Sequence, residues 1–186
     1  MRIITGKAKG RRLQTLPGEG VTRPTAERVK ESVFSALQFE MEGREVLDLF
    51  AGSGQMGLEA LSRGAARCVF VDENRDACEI VRQNAVLTGL DALADVRKTD
   101  AFAFCHANMR PFDLAFLDPP YRAGLLPGAL EAVSRFLRVG GVAVCETDDQ
   151  TTLPDTVGTL VLEKERRYGK TRVWFYRQPS GNEQSE

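Results

Sequence analysis

The chain has 186 residues, 42% of them hydrophobic and 27% charged, which suits one globular domain with a sizeable core. No apolar run approaches the ~20 residues of a membrane-spanning helix, and the basic stretch 1–12 lacks the apolar centre of a secretory signal. The four cysteines form no CxxC pair and the one histidine is His106, so the sequence does not favour a zinc site. We expect a cytoplasmic protein with reduced cysteines.

The net charge of −1 conceals a separation of charge along the chain. Residues 1–30 carry eight Lys and Arg against two acids, and residues 163–177 carry six against two, whereas the segment between them is strongly acidic. Each basic cluster alone is typical of solvated surface. Together they favour a polyanionic partner, provided that the fold brings the two ends close to each other.

In chain order, the predicted elements are a basic arm, a helix, and then strands that alternate with helices. Residues 1–22 have glycine and proline between short apolar pairs and are predicted to form an extended basic arm. Thr25 is a candidate N-cap for a helix through about Gln38. From residue 45, alternating strand and helix patterns predict a mostly parallel sheet with helices on both faces. The predicted strands are EVLDLF, CVFVD, ADVRK, FDLAFLD and VAVCET, and the helices between them are Gln55–Arg63, Asn74–Thr88, Asp100–Met109 and Leu125–Arg138.

The C-terminal part departs from this alternation. TLVLEKERR and TRVWFYR, joined by YGK, predict an antiparallel hairpin at the edge of the sheet and bring the number of strands to seven. We therefore expect a single α/β domain over residues 1–177. The polar segment Gln178–Glu186 is predicted to be a disordered tail.

A glycine-rich loop joins the first predicted strand to its helix. The segment DLFAGSGQMG at 48–57 fits GxGxxG, and Asp72 follows at the end of the second strand, where an acid binds ribose hydroxyls. This spacing also fits a nicotinamide dinucleotide. Asp48 argues against it, because a carboxylate beside the loop would repel a pyrophosphate but attract a sulfonium or ammonium group.

S-adenosylmethionine satisfies these constraints, since it has a ribose and an adenine but no phosphate. In this interpretation Asp48 lies near the methionine amino end, Asp72 binds the ribose, and Asp100-Ala101 accepts the adenine amino group. Helix capping is the alternative role for Asp100. The predicted cofactor-binding residues are Asp48, Gly52, Ser53, Gly54, Asp72, Asp100 and Ala101.

Asp118-Pro119-Pro120-Tyr121 follows the fourth predicted strand and is the candidate catalytic segment. Its prolines favour a stiff, extended backbone, although they would also serve simply to end the strand. The Asp118 carboxylate and the Pro119 carbonyl can accept both N–H bonds of an exocyclic amine, and Asp118 can take the released proton. Tyr121 can stack on the base, which contributes about 1–3 kcal/mol.

With DLFAGSGQMGLEAL and DPPY, the chain resembles class I methyltransferases that act on amino groups. RIITGKAKGRRLQTLPGEGVTRPTAERVKESVF and EKERRYGKTRVWFYR narrow the resemblance to the RsmD-type 16S ribosomal RNA guanine-N2 methyltransferases, over residues 1–177. The resemblance implies a Rossmann-like fold, S-adenosylmethionine as cofactor, and a monomer that methylates a guanine N2 in the small ribosomal subunit or an assembly intermediate. The RNA contacts that it implies are at Arg11, Arg12, Arg23, Thr25, Arg28, Arg166, Arg167 and Lys170.

Two further functions stay open from the residues alone. The glycine loop and DPPY also occur in adenine-N6 methyltransferases of DNA or RNA, although a chain this short has no room for a separate target-recognition domain. A catalytically inactive module that binds RNA or the cofactor would show the same distribution of charge.

Overall fold

The computed structural model describes residues 1–16, 24–119 and 124–180, which contain five α-helices and eight β-strands. The helices are α1 (Pro24–Ala36), α2 (Gln55–Ser62), α3 (Arg75–Thr88), α4 (Ala101–Ala107) and α5 (Leu126–Ser134), with a 3-10 turn at Asp91–Leu93. The strands are β1 (Glu45–Leu49), β2 (Arg67–Asp72), β3 (Ala94–Lys98), β4 (Phe112–Leu117), β5 (Leu137–Asp148), β6 (Thr156–Val157), β7 (Leu160–Tyr168) and β8 (Thr171–Arg177). None of the described helices has the length and apolar character needed to span a bilayer.

All eight strands join one sheet in the order β3-β2-β1-β4-β5-β8-β7-β6. β1 to β5 pair in parallel, and β8, β7 and β6 extend the sheet with antiparallel pairs. The predicted parallel sheet with a C-terminal hairpin is thus confirmed, and the additional eighth strand is the two-residue β6, too short to leave a sequence pattern. The strand order reverses between β1 and β4, and ligands of such sheets bind at this switch point.

Two apolar layers hold the helices against opposite faces of the sheet, as predicted. Helices α1, α2 and α3 pack on the face that carries Phe70 and Phe116, whereas α4 and α5 pack on the face that carries Leu47 and Leu117. Successive strand residues point to opposite faces, so parity along each strand decides which layer a side chain joins. All four cysteines are free and buried.

The start of α1 and the end of α5 differ from the sequence prediction. Helix α1 begins at Pro24, which suits a first helical position, so Thr25 lies in the first turn and is not the N-cap. Helix α5 ends at Ser134, because the chain turns and Leu137 already pairs with Phe112 at the start of β5. Gly140, at φ 77°, lies within β5 at a position that few other residues adopt.

Residues 1–13, here named the N-terminal loop, fold back instead of extending, so the expectation of an extended arm is wrong for this part. Residues 17–22 of the expected arm lie outside the described residues. Arg2 and Arg12 form an antiparallel bridge. The apolar side chains of Ile3, Ala8 and Leu13 are buried in the layer beneath α1 and α2, which favours docking over extension.

The N-terminal loop is anchored by the carboxylate of Glu59 on α2, which has 0% exposed surface. Glu59 accepts the backbone N–H groups of Ile4 at 2.8 Å and Thr5 at 3.1 Å. Its oxygens also lie 3.3 Å from Lys30 Nζ and 2.8 Å from Arg63 Nε. Glu59 therefore joins the loop, α1 and the end of α2 at one point.

Two neighbouring contacts complete this anchor. Lys30 Nζ donates to the Arg2 carbonyl at 2.6 Å, and burial lowers the pKa of Lys30 even though Glu59 acts to raise it. Ser62 Oγ accepts from Ala8 N at 3.0 Å and donates to the Thr5 carbonyl at 2.6 Å. The loop is therefore tied to α1 and α2 through polar groups that are shielded from water.

We predict that Glu59→Ala lowers the free energy of unfolding by about 3–5 kcal/mol, because it leaves the Lys30 ammonium buried without its carboxylate. Chemical denaturation measures this change. Glu79→Ala, at an exposed ion pair with Arg82 on α3, should change stability by no more than about 0.5 kcal/mol. Equal losses in the two variants would contradict the anchoring role of Glu59.

Candidate active site

A cavity of about 530 Å³, here named the edge cavity, opens at the carboxyl ends of β1, β2 and β4 beside the switch point. This volume is in the range used by ligands of cofactor size. Residues from three strand ends and from the start of α4 converge on it. Six predicted site residues line it: Gly52, Asp72, Asp100, Ala101, Asp118 and Pro119.

The backbone of the glycine loop after β1 has a conformation that few residues other than glycine adopt. Phe50 has φ 72°, and its N–H donates to the Val71 carbonyl at 3.0 Å. A non-glycine residue at positive φ is uncommon and marks a site where the surroundings impose the geometry. Gly57 lies so close to β2 that an added Cβ would come within 2.3 Å of the Phe70 ring. The third glycine of the motif thus allows α2 to pack closely on β2.

Asp72 at the end of β2 organises this loop. One carboxylate oxygen accepts from Gly52 N at 2.9 Å and the other accepts from Asn74 N at 2.8 Å. Each carboxylate oxygen has a second acceptor position, so ribose hydroxyls can also be bound. Asp72 therefore combines the predicted ligand position with a structural role in the loop.

Asp100 is the N-cap of α4, which confirms the alternative role that the sequence offered for this residue. Its Oδ1 accepts from Ala103 N at 2.8 Å, and both Asp100 and the following Ala101 line the edge cavity. The cap fixes the carboxylate at the rim of the cavity. Asp100 is thus positioned for a polar group of a ligand by the same bond that starts the helix.

Asp48 lies beneath the glycine loop and is not among the residues that line the edge cavity, so its position next to a ligand stays a prediction. It is 4% exposed, and its Oδ2 accepts from Gly57 N at 2.8 Å, inside the first turn of α2. Burial raises the pKa of Asp48 to about 7, with a smaller contribution from Asp72. The strand parity directs this side chain into the α1–α3 layer, so it supports the loop from below.

Ser53 and Gly54 also support the loop without lining the edge cavity. Gly54 is the N-cap of α2 at φ 75°, a left-handed conformation that suits glycine. The Ser53 carbonyl accepts from Nδ2 of Asn84, a fully buried residue on α3, at 3.0 Å. Asn84 also exchanges hydrogen bonds with the backbone N–H and carbonyl of Gln14, at 2.8 and 3.0 Å.

The charge of the edge cavity favours some ligands over others. Its described lining includes four acids, Asp72, Glu73, Asp100 and Asp118, and contains no Lys or Arg. A pyrophosphate there would meet only repulsion from side chains, whereas a ribose or a cationic group would be attracted. The lining therefore fits S-adenosylmethionine and disfavours the dinucleotide interpretation.

Asp118 lies where the edge cavity meets a second, smaller cavity of about 150 Å³, here named the inner cavity. The inner cavity lies under α1, above the ends of β4 and β5. Asp118 lines both cavities, and the buried Pro119 lines the first. Pro120 and Tyr121 lie outside the described residues, so their predicted roles stay predictions.

The predicted RNA-binding residues differ in their exposure. Arg11, Arg12, Arg28 and Lys170 are exposed, whereas Arg23 and the side chain of Thr25 lie outside the described residues. Arg167 is bound to Asp149 at 3.1 Å.

Arg166 on β7 donates to Ser32 Oγ on α1 at 3.0 Å, and Tyr168 contacts the same hydroxyl. Because Lys30 binds the Arg2 carbonyl, α1 lies between the N-terminal loop and the C-terminal hairpin. The fold thereby brings the two basic ends to one helix.

Sequence reasoning missed two groups of residues at this site. Lys30 and Glu59 were assigned no role, because a buried ion pair between residues 29 positions apart leaves no local pattern. Glu146 lines the inner cavity from within β5, two residues before the strand ends, so the pattern of an acid that follows a strand does not single it out.

The architecture and the site together define a class I methyltransferase, the class that depends on S-adenosylmethionine. The solved structure of YhhF from Escherichia coli, provisionally named a methyltransferase, is similar with a TM-score of 0.84. The two chains are 31% identical, and the match covers 97% of this chain and 98% of the other.

Sequence comparison narrows the class to a family. Residues 1–177 match the family described as conserved hypothetical protein 95. The chain is 41% identical to Bacillus subtilis YlbH, which bears the provisional name of an rRNA methyltransferase, over 95% of this chain and 98% of the relative. It is 31% identical to the ribosomal RNA small subunit methyltransferase D of Escherichia coli K12, over 98% and 92% of the two chains. The chain belongs to this RsmD family.

We predict that the stability of the protein relative to Asp48→Asn falls as the pH rises from about 4 to about 7. The folded-state pKa of Asp48 is about 7, against 3.8 ordinarily, so in this window the folded protein keeps a proton that the unfolded chain has released. The difference should be on the order of 4 kcal/mol, measured by denaturation at several pH values.

Asp91→Asn on the exposed 3-10 turn is the matched control and should keep the wild-type pH profile. A constant offset between wild type and Asp48→Asn across the whole window would show that Asp48 is ionised throughout.

Proposed function

We propose that this protein transfers a methyl group from S-adenosylmethionine to ribosomal RNA, at the exocyclic N2 of a guanine in the 16S RNA of the small subunit. The observation that carries the proposal is the position of Asp118 between the edge cavity and the inner cavity. Membership of the RsmD family supports ribosomal RNA as the substrate, and the choice of guanine N2 rests on the resemblance of the sequence motifs.

The edge cavity is the proposed cofactor site. Asp72 and Asp100 provide carboxylate oxygens at its rim, and Gly52 allows backbone to approach the ligand. When bound, S-adenosylmethionine supplies a methyl group that is already activated on a sulfonium. The site itself has to bind and orient the cofactor and to exclude water. The ordered loop after β1 is suited to these tasks.

Asp118 and Pro119 are the proposed catalytic groups. The Asp118 carboxylate and the Pro119 carbonyl accept the two N–H bonds of the base, which localises the nitrogen lone pair and raises its nucleophilicity. Asp118 then takes the proton that the amine loses, directly or through water. The target base has to leave its stack to reach this position, or be unpaired already.

The basic residues around α1 are the proposed RNA surface. Helix α1 contacts the N-terminal loop through Lys30 and the C-terminal hairpin through Ser32, and its Val29 and Val33 border the inner cavity. Exposed arginines on these elements would hold phosphates next to the catalytic residues. We propose that a monomer acts on the small subunit or on an assembly intermediate.

We predict that Asp118→Ala abolishes methyl transfer to small-subunit RNA, because it removes both the N–H acceptor and the proton acceptor. Transfer of labelled methyl groups, followed by nucleoside mass spectrometry, measures the effect. Asp91→Ala is the matched control and should retain wild-type activity. Binding of S-adenosylmethionine, measured by calorimetry, should persist in both variants, since Asp72 and Asp100 remain in the edge cavity.

Three outcomes would overturn parts of this proposal. Undiminished transfer by Asp118→Ala would remove its catalytic role. N6-methyladenosine as the wild-type product would reject guanine N2. Tight RNA binding by the wild type without methyl transfer to any ribosomal substrate would favour an inactive binding module.

We predict that Arg28→Ala weakens RNA binding about fivefold at moderate salt and lowers the slope of log K against log salt by about one, as expected for one lost phosphate contact. Arg82→Ala on the exposed side of α3, away from the proposed surface, should leave both quantities unchanged. Filter binding at several salt concentrations measures them. Equal effects in the two variants would argue that no defined surface holds the RNA.

A further inference from the structure

We propose that Glu146 on β5 selects guanine, by accepting the N1–H of the same base whose amino group Asp118 accepts. The inference rests on the proposed function and adds to it a residue that discriminates between bases. It concerns the inner cavity, whose polar lining includes both carboxylates.

The parallel pairing of β4 and β5 places these two acids side by side. Leu117 is the register partner of Cys145, so Asp118 and Glu146 are the next residues of neighbouring strands. Burial raises the pKa of the Cys145 thiol, and the charge of the neighbouring Asp118 raises it further. Two carboxylates thus reach the same cavity, one from just beyond the end of β4 and one from within β5.

The volume and the lining of the inner cavity suit a small, mostly apolar group. Its volume of about 150 Å³ corresponds to roughly five water molecules, much less than the edge cavity offers. Val29 and Val33 of α1 form one side, and Val144 and Val173 of the sheet form another. A single base inserted between these aliphatic walls would present its polar edge to Asp118 and Glu146.

The two purines differ at that edge. Guanine presents two neighbouring donors, the N2 amino group and N1–H, whereas adenine presents its N6 amino group next to an N1 lone pair. Ionised carboxylates only accept hydrogen bonds, so a pair of them matches guanine and opposes the adenine N1 lone pair. A carboxylate has about four acceptor positions, so Glu146 can bind the base and keep contacts with the protein. Asp118 alone would accept the amino group of either base.

The test compares guanine with 2-aminopurine at the target nucleotide, in small-subunit particles reconstituted with each base. 2-Aminopurine keeps the 2-amino group and the sugar attachment but has an N1 lone pair in place of N1–H. Wild type should strongly prefer guanine, measured as the ratio of kcat/KM values. Glu146→Gln should lower that ratio by about 10-fold or more, because its amide can donate to N1 and its charge-assisted acceptor is lost.

Glu131→Gln, at an exposed position on α5, is the matched control and should keep the wild-type ratio. An unchanged ratio in Glu146→Gln would overturn the inference while leaving guanine methylation in place. A rise confined to the KM for S-adenosylmethionine would also overturn it, because Glu146 would then contact the cofactor. If the wild type methylates no guanine, the proposed function fails together with the inference.

Discussion

The buried carboxylate of Glu59 is the contact on which the arrangement of the site depends. It receives donors from the N-terminal loop, from α1 and from α2, three segments whose mutual position no continuous sheet or helix would otherwise define. Buried ion pairs often add little net stability compared with apolar packing, but they impose one arrangement on the groups that meet there. Because α1 forms a wall of the inner cavity, the position of that wall depends in part on this contact.

The acids at the strand ends serve the scaffold and the ligand at once. Asp72 and Asp100 each accept backbone N–H groups that shape the loops around the edge cavity, and both still face that cavity. Their orientation is thus fixed before any ligand arrives, which avoids reorganisation on binding. The same acids repel phosphate from the edge cavity, whereas basic residues lie on the surface around α1. These charges favour a cationic ligand in the edge cavity and a polyanion on the surface around α1, which are different parts of the same protein.

The sequence predicted the architecture well because its strong signals are local. Alternating apolar runs, the glycine loop and the acids that follow each strand depend on neighbours in the chain, and the sheet brings Asp72, Asp100 and Asp118 to one edge as expected.

The features that the sequence did not predict depend on contacts between residues that are far apart in the chain. The partner of Glu59 is on another helix, the fold of residues 1–13 follows from docking onto α2, and the burial of Asp48 follows from strand parity. The end of α5 was placed too late, because the pairing of Leu137 with Phe112 overrides local helix propensity.

The side chain of Asn84 links parts of the molecule that have different tasks. It binds Gln14, just beyond the N-terminal loop, and Ser53 in the glycine loop, from a position with no exposed surface. If either segment detaches, buried amide groups lose their partners at a cost of about 1–3 kcal/mol, so each segment protects the other from local opening. Amide hydrogen exchange would then report the two segments as one cooperative unit, in which the glycine loop opens together with the residues around Gln14.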